Sequence, residues 1–141
     1  MHRTATGNFN DAGFDRGVCN GRGGGFVGGG QLSFIGRRMA ENYINGRIHF
    51  ITTEIWGITN TSPMMRPFQV LNGQFQIFDR DGSPLPKNGM DWKDTDQVGA
   101  DEKVQNIMRL TDYRDEENPY MYHCHIIDHE DRGMMEQFVI V

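Results

Sequence analysis

The run YMYHCHIIDHEDRGMM, residues 120–135, narrows the choice of fold more than any other stretch of this chain of 141 residues. Tyr120 to His125 is made of β-formers and carries histidine at alternate positions. As a strand with a period of two, it turns His123 and His125 to one face and Cys124 to the other, so a single strand end serves two different sites. On the Cys124 side, His129 and Met134 follow at spacings of five and ten, which suits a chain that leaves the strand, turns and returns to one point. Thiolate, imidazole and a weak thioether are the donors of a blue-copper electron-transfer site, which also needs a second histidine from another strand. On the opposite face two imidazoles suit a separate metal, and the covalent path through Cys124 would join the two sites electronically.

The same residues also admit other chemistries. Taken singly, each histidine reads as a satisfied core or surface side chain, and Met134 and Met135 read as pliable core filler. Zinc favours tetrahedral cysteine and histidine sets, has no use for a thioether, and finds no second cysteine pair here. A thiol nucleophile with a histidine base lacks an orienting group at a recognisable spacing, although Asp128 and Glu130 are close in sequence.

The rest of the chain is read for what could carry such a strand. From Leu32 onward, short apolar or alternating runs are separated by turn residues, the pattern of an all-β sandwich. Strands are expected at residues 52–59, on either side of an Asn72-Gly73 turn within residues 67–78, and at 103–110, 120–125 and 137–141. Residues 80–86 are turn chemistry, and residues 125–136 look irregular or briefly helical. Neither a repeat nor a sustained helical period is present, which argues against a bundle. A hydrophobic content of 37% suffices for one modest core. Ten of the 18 glycines precede residue 31, so residues 1–31 are expected to be a glycine-rich flexible segment and residues 32–141 the folded domain.

A net charge of −5 leaves no basic stripe for phosphates, which speaks against nucleic acid and anionic membranes as partners. No apolar run approaches the roughly 18 residues of a membrane span, and Met1 to Asn20 lacks a signal peptide's apolar stretch, so a soluble chain with no readable address is expected. Cys19 and Cys124 sit in unlike settings, and no disulfide framework is indicated.

With these readings in place, HCHIIDHEDRGMM, from His123 to Met135, resembles the carboxy-terminal motif of multicopper oxidases. TTEIWGITNTSP (Thr52 to Pro63), FQIFDRDG (Phe75 to Gly82) and WKDT (Trp92 to Thr95) resemble other parts of that family in the same order. The resemblance covers roughly residues 32–141. It implies a cupredoxin-like Greek-key β-sandwich, the third domain of a laccase-like, bilirubin-oxidase-like or spore-coat-type enzyme. Such enzymes oxidise small aromatic substrates or metal ions at a blue copper and reduce dioxygen at a trinuclear copper cluster. The resemblance implies copper as the cofactor, with Cys124, His129 and Met134 at the blue site and His123 and His125 at the trinuclear cluster. Other cupredoxin domains or subunits would supply the remaining cluster ligands, and the family suggests a cell-envelope or extracellular place.

The chain departs from the family at the histidine-proline-x-histidine-x-histidine motif, which here reads Arg66-Pro67-Phe68-Gln69-Val70-Leu71. Arg66 stands where the blue site takes its second imidazole, and a guanidinium has no lone pair to give. Gln69 is at best a weak oxygen ligand and Leu71 is none. Arg66 is then expected either to oppose copper or, at an empty site, to be a solvated surface cation.

Two functions follow. One is a copper-binding oxidoreductase domain of a laccase-like oxidase, a fragment or degenerate copy inactive alone. The other is a non-catalytic scaffold module with a residual histidine and cysteine metal strip. A truncated or recombined reading frame is a third possibility. Without a full copper site, the Cys124 thiol beside His123 and His125 is expected to have a lowered pKa and to oxidise readily.

Overall fold

The computed structural model describes residues 17–18, 39–60 and 62–141. Their strands are β1 (Gly17–Val18), β2 (Gly46–Ile48), β3 (Thr53–Thr59), β4 (Arg66–Val70), β5 (Phe75–Arg80), β6 (Ser83–Pro84), β7 (Thr95–Val98), β8 (Lys103–Arg109), β9 (Asp115–Cys124) and β10 (Met135–Ile140). One short helix, α1 (Ile127–Asp131), joins β9 to β10, and a single 3-10 turn spans Lys87–Gly89. The strands form two five-stranded sheets, in the orders β1-β3-β8-β5-β6 and β2-β10-β9-β4-β7. The chain is the all-β, cupredoxin-like sandwich expected of the sequence.

Alternation in the sequence decides which face of each sheet is buried. β3 turns Glu54, Trp56 and Ile58 inward, β4 turns Arg66, Phe68 and Val70, and β8 turns Val104, Asn106 and Met108. Between the sheets the Trp56 ring lies edge-on to Tyr122 and Phe138, with centroids 5.6 and 5.2 Å apart, while Tyr120 stacks on Phe138 at 5.3 Å. Each such pair adds about 0.5–1.5 kcal/mol beyond the area it buries. Residues ahead of β2 are tied to this body by Gln137, whose amide donates to the carbonyls of Glu41 and Tyr43.

The Asn72-Gly73 turn is present, with Asn72 in the left-handed region at φ 57°. The strands it joins do not pair, however, because β4 and β5 belong to opposite sheets. It therefore carries the chain over one end of the sandwich, and Gly73 is required there because a Cβ would meet Val70 Cγ1 at 2.9 Å. The segment assigned to residues 1–31, with Cys19 and the boundary at residue 32, lies outside the described residues apart from β1. No helix among the described residues is long and apolar enough to cross a membrane.

Candidate metal centre

β9 lies between β10 and β4, and its register with β4 sets the site: Phe68 opposes Cys124, Gln69 opposes His123 and Val70 opposes Tyr122. Cys124 therefore shares the inner face with Phe68 and Val70, while His123 shares the outer face with Gln69. Beyond Cys124 the chain turns through α1, and main-chain hydrogen bonds close the loop upon itself. Met134 N donates to His129 O at 2.8 Å and Cys124 N donates to Met134 O at 3.2 Å. His125 N donates to Pro67 O at 2.8 Å, which fixes the loop to β4.

On the inner side, Cys124 Sγ is 3.3 Å from His129 Nδ1. Met134 is fully buried in the same core, and its backbone is bonded to both residues. Arg66 reaches this point from β4. Its Nη1 lies 2.7 and 2.8 Å from the two ring nitrogens of His129. An atom equidistant from both nitrogens sits on neither lone pair, so the guanidinium packs over the ring. Arg66 is 3% exposed, which corrects the expectation of a solvated cation. Its Nε donates to Ser62 Oγ at 3.1 Å, and Ser62 is braced by Asn60 Oδ1 at 2.7 Å. No carboxylate pairs with Arg66 among the described residues.

Electrostatics at this point run against an activated thiol. Burial pushes the Cys124 thiol up to about 11, against a smaller opposing pull from Arg66. The lowered pKa expected from the flanking histidines is thus overturned, because Cys124 is 0% exposed and neither histidine shares its face. Burial, and then the Arg66 charge, lower the pKa of His129. A neutral thiol facing a neutral imidazole is the result.

On the outer side, His123 and His125 meet edge to face with ring centroids 5.2 Å apart. Glu130, on α1, inserts its Oε1 between them, 2.9 Å from His123 Nδ1 and 2.8 Å from His125 Nδ1. Gln69 Oε1 lies 2.9 Å from His123 Nε2. Leu71 is exposed, and its N–H donates to Met121 O at 2.8 Å. Burial lowers the pKa of His123 against the pull of Glu130. For Glu130 burial acts upward, but the His125 hydrogen bond and the two imidazole charges outweigh it, and the carboxyl ends below its usual range.

Sequence reasoning did not give Glu130 a role, nor Asn60 and Ser62. The Asn-x-Ser spacing was a signal for the latter pair, since Asn60 Oδ1 accepts from Ser62 N at 3.0 Å as such turns do. Glu130 carried no comparable signal, because only the turn of α1 brings it back to His125.

The family model described as Multicopper oxidase matches residues 14–141. A multicopper oxidase of Staphylococcus haemolyticus is 31% identical over 116 residues, covering 78% of this chain and 25% of that protein. A laccase of Bacillus subtilis is 30% identical over 102 residues, covering 60% of this chain and 19% of that protein. The crystal structure of a multi-copper oxidase from Pediococcus acidilactici superposes with a TM-score of 0.72 at 36% identity, covering 79% of this chain and 24% of that one. The chain thus spans about a fifth to a quarter of the length of these relatives.

Proposed function

Because the chain belongs to the multicopper oxidase family, we propose that it is a last-domain cupredoxin in which Arg66 has replaced the blue copper, leaving a module that does not oxidise substrate alone. One observation carries this reading: a buried guanidinium lies 2.7 and 2.8 Å from the ring nitrogens of His129. A copper ion at Cys124 and His129 would share that space with a fixed positive charge that has no electron pair to donate. Cys124 would also have to give up its proton from a pKa near 11. The residues present do not fit a blue copper.

Titration of the purified chain with Cu(II), followed by visible absorption, tests the reading. The expected result is no intense thiolate-to-copper band, and its appearance on exchanging Arg66→His. A strongly coloured wild-type protein would overturn the proposal.

The oxidoreductase reading rests on the Cys124–His129 contact of 3.3 Å, which keeps two blue-site donors side by side. In that reading other cupredoxin domains or subunits supply the missing imidazoles, and a small aromatic molecule or metal ion is the substrate. Restored oxidation of a phenol on adding the first two domains of a laccase would favour it over the leading reading.

A further inference from the structure

We propose that Arg66 forms a binding site for one small monovalent anion, a halide or thiocyanate, at the rim of the sandwich. The site rests on the placement of Arg66 described above and not on whether copper is taken up.

Arg66 opens β4, and its guanidinium is held along one side. Nε donates to Ser62 Oγ at 3.1 Å, and Nη1 packs over the His129 ring at 2.7 and 2.8 Å from its nitrogens. Ser62 is itself fixed, with its hydroxyl 2.7 Å from Asn60 Oδ1 and 2.9 Å from Met64 O. Behind it, Asn60 Nδ2 reaches the carbonyls of Met64, Val98 and Gly99 at 2.7, 3.1 and 2.8 Å. Asn60 and Ser62 are fully buried and Arg66 nearly so, which gives the charge a rigid seat. Its Nη2, with two N–H groups, donates to nothing among the described residues.

A charge buried to this degree is ordinarily paired, because an ion in a low-dielectric site loses most of its hydration. The two carboxylates whose charge reaches this point are engaged elsewhere, Asp128 with Arg132 at 3.0 Å and Glu130 with His125 at 2.8 Å. A mobile anion supplies the missing partner. One guanidinium carries one charge, and the repulsion of Asp128 and Glu130 disfavours a doubly charged oxyanion. A guanidinium is weakly hydrated, so anions that shed water readily suit it best, in the order thiocyanate, bromide, chloride. Exposed Met64 and Met65 lead directly into Arg66, so the ion arrives from solvent without parting the two sheets.

The chlorine NMR line width of chloride buffer, read against concentration of the whole chain with a chelator present, tests the site. Broadening in excess of that of free chloride is expected, and thiocyanate should remove it. Arg66→Met should abolish the excess, and Arg66→Lys, which keeps the charge but loses the planar fork, should weaken binding about tenfold. Arg132→Met removes an exposed guanidinium and is the control that keeps the excess. Should Arg66→Met fail to fold, Arg66→Lys decides. An absent excess in the wild type would overturn the site, as would one that survives both Arg66 variants. Since the chelator strips metal, success or failure of the Cu(II) titration is read separately.

Discussion

A guanidinium packed on an imidazole, with a serine hydroxyl as its other side-chain partner among the described residues, sets the chemistry of the inner site. Removing a buried charge in favour of an apolar side chain of similar volume is often neutral or stabilising by about 1–4 kcal/mol. Arg66→Met is therefore expected to raise the urea midpoint, and a clear loss of stability would mean that the hydrogen bond to Ser62 and the packing on His129 outweigh the cost of burial. The Cys124 thiol carries a second expectation. With its pKa near 11 and no exposed surface, alkylation at pH 8 should proceed no faster than the chain opens, measured as labelling in native buffer against labelling in denaturant. Residue types were legible in the sequence here, because spacing alone set Cys124, His129 and Met134 at one turn. Their protonation was not legible. It depends on how deeply β9 is covered and on what β4 brings across from it, and neither is written in the motif itself.

The element that matters most is the turn from β9 through α1 to β10. Gly133, at φ 81°, ends α1 by donating from its N–H to Glu130 O at 2.8 Å, and the chain then enters Met134. An L side chain in this conformation costs about 1 kcal/mol, so Gly133→Ala should lower stability by that amount in a denaturant titration. It should also disturb Glu130 and Met134, its two neighbours in the loop. The long strands β3, β4, β5 and β8 were readable because buried and exposed residues alternate along them, and β10 because it runs into the apolar stretch of residues 138–141. β7, with sequence TDQV, was not, since four residues of which three are polar carry no period. The first half of β9 escaped for a related reason: Asp115 to Asn118 is polar and mostly exposed, so pairing with β10 rather than burial makes it a strand. The Asn72-Gly73 turn was found, but which sheet its two strands join depends on long-range pairing.

For the molecule as a whole, the buried carboxyls set the pH response. Burial raises the pKa of Glu54, against smaller pulls from the Thr52 hydroxyl and His49. The folded state then binds this proton more tightly than the unfolded chain does. The cost of the ionised group is absent below the ordinary carboxylate range and grows as pH rises from there through the raised value. Glu54→Gln keeps an acceptor for Thr52 and removes that cost. It should gain stability over the wild type at neutral pH and lose the advantage in acid, as read from urea midpoints across a pH series. An equal gain at every pH would assign the effect to packing instead.

The rims of the two sheets have one more consequence. β1 and β6 are two residues long, β2 is three and β7 is four, so each sheet ends in a stub rather than a ribbon. Yet β1 pairs with β3 only at Ile58 and Thr59, so such a stub covers two of the seven residues of the strand behind it. Among the described residues, the longer strand behind each stub, rather than the stub itself, then decides whether an extended segment can add to that flank of the sandwich.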